Sequence, residues 1–283
     1  MATDPHRLAG LHDVADRYDL LLCDVWGVVH DGMTAFEGPS DALVRYRERG
    51  GRVVFITNAP RAAPPILARL DAMGVPRAAY DSLVSSGDVT RTMIAPLRGK
   101  VIHHVGPPSW DDTLYEGLGV IRGAAEDAEA VVVTDLDDDD DTPEMYLDRM
   151  KLWLGRGLPL ICANPDKVVE HAGRLVYCGG ALADIYAEMG GEVLLAGKPY
   201  APIYEEALKR AAAAAGHGIP REKTLAIGDS VRTDATGAAL IGVDLLFIAG
   251  LIHTSDIEAG TPVAALVAPT GAKLAGWMPR LVW

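Results

Sequence analysis

Between residues 20 and 73 the chain switches repeatedly between short apolar runs and helical patterns, and that alternation limits the folds open to it. Residues 20–23 and 52–56 read as strands, 40–49 and about 64–73 as helices. Strand, helix and strand at this spacing make parallel neighbours joined by right-handed crossovers. A second set of strands is expected at 101–105, 131–134, 158–162 and 175–177. A third is expected at 193–196, 225–227, 245–248 and 265–267. The first and third sets carry polar groups just past their strands, at Asp24, Thr57, Asn58, Lys198 and Asp229. The expected architecture is an α/β fold: a doubly wound parallel-sheet core built from 1–86 and 191–283, interrupted by an inserted α/β cap over 87–190.

With 283 residues, 49% of them hydrophobic, the chain has material for two such cores. Lys and Arg number 26 against 39 Asp and Glu, a formal charge of −13, which disfavours nucleic acid or a membrane surface as partner. Cys23, Cys162 and Cys178 form no CxxC pair and leave an odd count, as expected of reduced thiols in a cytoplasmic protein. Residues 1–6 lack the charged-then-apolar pattern of a leader.

In an open parallel sheet, ligands gather at the carboxyl ends of the strands, where the strand order reverses. Asp24 closes the first apolar run; a carboxylate there can attack phosphorus and form an acyl phosphate. Thr57 and Asn58 follow the second run and offer a hydroxyl and an amide to phosphate oxygens. In Gly197-Lys198-Pro199 the glycine admits a ligand close to the backbone and the ammonium neutralises phosphate and nucleophile. The run 225–227 breaks at Gly228 into Asp229, with Asp234 five residues on. Hard carboxylate oxygens of this kind suit magnesium, which keeps several of its waters. Singly, each group also reads as a turn, cap or surface residue. Four such segments, each at a strand end, are harder to explain that way.

These segments resemble the four motifs of the haloacid dehalogenase superfamily, in the order and spacing of its class IIA branch, the NagD-like and nitrophenylphosphatase-like hydrolases. Asp31-Gly32, Ser85-Ser86-Gly87 and Asn164-Pro165-Asp166 extend the likeness over nearly the whole chain. The resemblance implies a magnesium-dependent phosphohydrolase of small phosphorylated metabolites. Asp24 would be nucleophile and metal ligand, the Trp26 carbonyl a further ligand, and Thr57 and Asn58 phosphate contacts. Lys198 would stabilise charge, Asp229 complete the metal carboxylates and Asp234 support them directly or from behind. Asn164 and Asp166 are the cap candidates for substrate choice, and self-association into a homo-oligomer is left open.

One position departs from the pattern. Most phosphatases of the superfamily carry at the position of Trp26 an Asp that protonates the leaving oxygen and then activates water, work an indole cannot do. His30 and Asp31 are the nearby residues that could take it over, each with an ordinary loop reading as well. Two alternatives follow: a binding or regulatory protein that keeps the pocket without turnover, and a metal-independent dehalogenase-like hydrolase. The run 137–141 is expected to be a solvated acidic loop, His103-His104 a strand pair, and Trp277 and Trp283 packing residues.

Overall fold

The computed structural model describes residues 6–107, 112–171, 174–250 and 253–283. Residues 1–5, part of the expected leaderless N-terminus, lie outside them. The strands in chain order are β1 (Leu20–Asp24), β2 (Arg52–Thr57), β3 (Ser82–Ser85), β4 (Val101–Val105), β5 (Ile121–Arg122), β6 (Ala130–Val133), β7 (Leu160–Cys162), β8 (Val168–His171), β9 (Arg174–Tyr177), β10 (Val193–Leu195), β11 (Thr224–Gly228), β12 (Asp244–Ile248) and β13 (Lys273–Met278). The helices are α1 (Pro39–Glu48), α2 (Ala63–Ala72), α3 (Ser86–Ile94), α4 (Asp112–Tyr115), α5 (Leu147–Gly155), α6 (Gly179–Glu188), α7 (Ala201–Ala215), α8 (Thr236–Ile241), α9 (Thr254–Glu258) and α10 (Val263–Val267).

The chain forms two compact units, one of residues 1–57, 66–84 and 198–283, the other of 58–65 and 85–197. The first holds a six-stranded sheet in the order β13-β12-β11-β1-β2-β3. All its registered pairs are parallel. Chain order runs outward from β1 through β2 to β3 on one side and from β11 through β12 to β13 on the other. The reversal therefore falls between β1 and β11, where Cys23 pairs with Ile227. All five residues of β1 are buried, as are those of β11, because helices cover both faces of a sheet of this kind. α7 packs on β2 and buries Ile203, Tyr204, Ala207 and Ala211, positions spaced by helical turns along one side.

The second unit has its own parallel sheet, β10-β7-β6-β4-β5, and a two-stranded antiparallel ribbon of β8 and β9. One face of the five-stranded sheet packs Trp153, Tyr146, Met150, Leu182 and Tyr186 over Val131, Val133 and Leu160; the other packs Ile94, Leu114 and Tyr115 over Ile102, Val132 and Ile161.

Three expectations about strands need correction. Residues 265–267 belong to α10, where Pro262 opens the helix and Val263 and Val267, four apart, are the buried positions. The strand at 193–196, read as part of the first sheet, is β10 and pairs with β7 in the second. The strand at 175–177 is half of the antiparallel ribbon, outside the parallel sheet. Among the described residues no helix is long and apolar enough to cross a membrane.

Candidate active site

Asp24 ends β1 and stays buried, with Oδ1 accepting the N–H of Val25 at 2.7 Å. Beside it β11 ends at Gly228, so the chain turns at the same sheet edge into Asp229 and Ser230. Ser230 caps a single π-type turn, Val231–Ala235, by accepting the N–H of Thr233 at 3.3 Å. Such turns are scarce and tend to occur where a side chain must be re-aimed. This one carries Asp234 back toward the strand end, where its Oδ2 accepts the N–H of Ser230 at 3.1 Å. Lys198, at the start of the segment leading into α7, bridges two of the carboxylates: Nζ stands 2.6 Å from Oδ1 of Asp24 and donates to Oδ1 of Asp234 at 2.8 Å.

Three carboxylates thus crowd together, and one ammonium contacts two of them. Asp24, Asp229 and Asp234 each offer an oxygen within 4.8 Å of the others, all three residues buried. Oδ2 of Asp229 is buried with no hydrogen-bond partner among the described residues. A buried, unpaired carboxylate oxygen is costly, and an excess of negative charge facing it makes it costlier. Burial and then the neighbouring charges of Asp24 and Asp234 push the Asp229 carboxyl up to about 9. Burial pushes Asp24 up to about 7, with Lys198 pulling against it and Asp234 adding to it. Burial alone would loosen the Lys198 proton; Asp234 and Asp24 outweigh it and hold that proton more firmly than in an ordinary lysine. The donor set is hard, anionic and convergent, and it has an oxygen to spare. It fits a divalent cation such as magnesium.

A raised carboxyl value favours folding at low pH: the native state binds protons the unfolded chain has shed. That advantage is complete below the ordinary value of 3.8 and is lost as pH climbs through about 7 for Asp24 and about 9 for Asp229. In chelator, these two groups are therefore expected to make thermal stability fall between about pH 4 and pH 9. A stability that instead rose with pH through the neutral range after allowance for the surface carboxylates would contradict the cluster's charge balance.

Gly27 makes the crowding feasible. Its φ of +82° lies in the left-handed region, and a Cβ there would stand 1.9 Å from Oδ2 of Asp229. The following loop folds back on itself, with the Gly27 N–H donating to the His30 carbonyl at 2.8 Å. Trp26 projects an indole that is 48% exposed. It lies against Gly32, where φ is +94° and a Cβ would come within 2.5 Å of the ring, and packs edge-on to His30 with centroids 5.8 Å apart.

The structure brings together Asp24, Lys198, Asp229 and Asp234. Thr57 ends β2 one residue past Ile56, the register partner of Asp24, and so sits at the same sheet edge. Asn58, Asn164 and Asp166 converge in the second unit: the Asn58 amide donates to Oδ1 of Asp166 at 3.3 Å, and the Asp166 N–H to Oδ1 of Asn164 at 3.2 Å. Two residues escaped the sequence reading. Ser230 was visible only as the polar residue next to Asp229. Tyr204, on α7, is buried with its hydroxyl unpartnered among the described residues and is held neutral by burial and the charge of Asp234; nothing in its own segment signals this. The cysteines are free and buried, and burial, reinforced by Asp24, pushes the Cys23 thiol well up.

A crystal structure from Brucella suis 1330, described as a hydrolase of the haloacid dehalogenase-like family, matches 89% of this chain and 92% of its own, with 45% identity and a TM-score of 0.80. The chain belongs to the haloacid dehalogenase-like hydrolases. The family's models match in two places, a haloacid dehalogenase-like hydrolase model over residues 21–121 and a HAD-hydrolase-like model over 195–270. The hydrolase is also 26% identical over 243 residues to the ribonucleotide monophosphatase NagD of Escherichia coli K12, covering 84% of this chain and 90% of that protein. The glycerol phosphate phosphatase Rv1692 of Mycobacterium tuberculosis, crystallised with magnesium, is 25% identical with a TM-score of 0.64, over 83% of this chain and 69% of that one. The parallel six-stranded core sheet and separate five-stranded cap sheet are thus those of a HAD-like hydrolase, and two of the relatives, NagD and Rv1692, are phosphatases.

Proposed function

We propose that this hydrolase is a magnesium-dependent phosphatase of small phosphorylated metabolites, working through an aspartyl-phosphate intermediate on Asp24. The observation that carries the reading is the unpartnered Oδ2 of Asp229, buried beside Asp24 and Asp234. Asp24, Asp229, Asp234 and the main-chain carbonyl of Trp26 would hold the ion. Bound there, it would neutralise the phosphoryl oxygens and keep Asp24 ionised. Asp24 supplies the attacking oxygen. Lys198 fixes its orientation through the 2.6 Å contact and offsets charge as phosphorus is approached. Thr57 and Asn58 donate hydrogen bonds to the phosphate, and the second unit serves as the cap, with Asn164 and Asp166 choosing the substrate. The relatives' names support phosphorylated metabolites of nucleotide or polyol size as the range to test.

Trp26 moves no proton, so turnover is slow by the ~10²- to 10⁴-fold that general acid–base help normally contributes. The same residue is what favours the second reading, a phosphometabolite-binding or regulatory protein. A metal-independent dehalogenase-like reaction fits less well, because it leaves the three buried carboxylates without a purpose. A panel of phosphorylated metabolites, assayed with and without magnesium, separates these readings. We expect phosphate release that requires the ion; binding without release would favour the regulatory protein, and release unaffected by chelation would favour metal-independent chemistry.

A further inference from the structure

We infer that the substrates this enzyme turns over well carry their phosphate on an oxygen that needs no proton to depart: a phosphoric anhydride, an acyl phosphate or an aryl phosphate. The inference rests on the phosphatase reading above and narrows its substrate class. In the first unit, the titratable side chains grouped with Asp24 are otherwise engaged. Lys198 is buried and committed to two contacts, with Asp24 at 2.6 Å and Asp234 at 2.8 Å. Asp229 and Asp234 belong to the cation. Tyr204 keeps its hydroxyl buried.

The two residues best placed in sequence to act as an acid, His30 and Asp31, hold the loop instead. Nδ1 of His30 accepts the N–H of Gly32 at 2.9 Å, and the ring is buried against the indole edge. Oδ1 of Asp31 accepts the N–H groups of Met33 and Thr34, each at 2.8 Å. The indole itself is pinned on Gly32, whose carbonyl accepts from Arg69. His30 and Asp31 are thus spent on the loop's own shape, and the exposed indole of Trp26 is aprotic at useful pH.

The chemistry balances without an acid. An Asp24 oxygen bonds to phosphorus while the bond from phosphorus to the leaving oxygen breaks, and that oxygen departs with the electron pair as an anion. Water then attacks the acyl phosphate, Asp24 regains its carboxylate, and both water protons leave on inorganic phosphate as the dihydrogen ion. The first step is easy when the conjugate acid of the leaving group is strong, as for carboxylic acids near ~4, and progressively harder through phenols near ~10 to alcohols. The second step is common to all substrates. Leaving-group sensitivity therefore belongs in kcat/KM, which reports the first irreversible step, while kcat stays nearly level wherever hydrolysis of the intermediate limits turnover.

The test compares acetyl phosphate, p-nitrophenyl phosphate, phenyl phosphate and glycerol phosphate with wild-type enzyme in saturating magnesium. We expect kcat/KM to fall along that series, by at least about 10²-fold from first to last, the scale of help a general acid would have given. Trp26→Asp is expected to narrow the spread by raising the glycerol phosphate rate most. Similar kcat/KM across the series, or a preference for the alkyl ester, would overturn the inference while leaving the phosphatase reading intact. No turnover of any of the four would remove both. Should Trp26→Asp fail to fold, the wild-type series alone decides.

Discussion

Asp24→Asn is expected to lose at least about 10³-fold in magnesium-dependent phosphate release, the scale seen when a covalent nucleophile is removed. The asparagine amide keeps the shape at the end of β1 and can accept the Val25 N–H, but it cannot displace a leaving group. The fold should survive, because the substitution removes one of three buried carboxylates crowded together and leaves Asp234 on the ammonium. Two measurements check this: kcat/KM with p-nitrophenyl phosphate, and intact-mass detection of a phosphorylated chain after rapid acid quench. Wild-type enzyme should show the added phosphate and the variant should not. Undiminished turnover by Asp24→Asn would move the nucleophile elsewhere.

Asp229→Asn should separate stability from activity in opposite directions. Its carboxylate has an oxygen that nothing in the described structure bonds, and burial with the charges of Asp24 and Asp234 pushes its proton affinity up to about 9. In chelator at pH 8 the amide is expected to be more stable than wild type by at least about 1 kcal/mol, because it has no charge for burial and the carboxylates of Asp24 and Asp234 to oppose. In magnesium the order should shrink or reverse, since only wild type gains the linkage term from a bound ion. Activity should fall at least about 10²-fold, in line with the loss of a charge stabiliser at the reacting centre. Thermal unfolding in chelator and in magnesium, with kcat measured on the same samples, tests both halves. A variant less stable than wild type in chelator would show that Asp229 is satisfied by something other than a cation.

Much of this was legible in the chain because the first sheet reads simply. The runs at 20–23, 52–56 and 225–227 are buried on both faces, so they carry almost no polar alternation, and their ends are marked by the first polar residues available. Of the four residues that converge, Asp24 and Asp229 stand at the ends of two of these runs, Asp234 lies in the turn that follows β11, and Lys198 comes just after β10. What did not read clearly has local causes. β3 is Ser-Leu-Val-Ser, half of it turn-like, so its sequence does not stand out as a strand. β13 was overlooked because Lys273–Met278 includes Ala275 and Gly276, poor strand formers; it lies at the sheet edge, where Gly276 leaves room for Leu8 and residues 6–8 pair alongside Trp277. α10 and a strand are indistinguishable in a five-residue apolar run without knowing which positions are buried. β10 has three residues, and only its pairing partner, 33 positions back at Leu160 for Val193, tells which sheet it joins. The π-type turn that aims Asp234 has no sequence signature beyond Ser230.

Calorimetric titration of magnesium into wild-type protein near pH 7.5, repeated in two buffers of different ionisation enthalpy, tests most directly for a cation site in the Asp24, Asp229 and Asp234 cluster. Because the carboxyls of Asp24 and Asp229 are pushed up to about 7 and about 9, saturable binding of one ion per chain should expel protons and give different heats in the two buffers. Absence of saturable binding, or binding with the same heat in both, would contradict it.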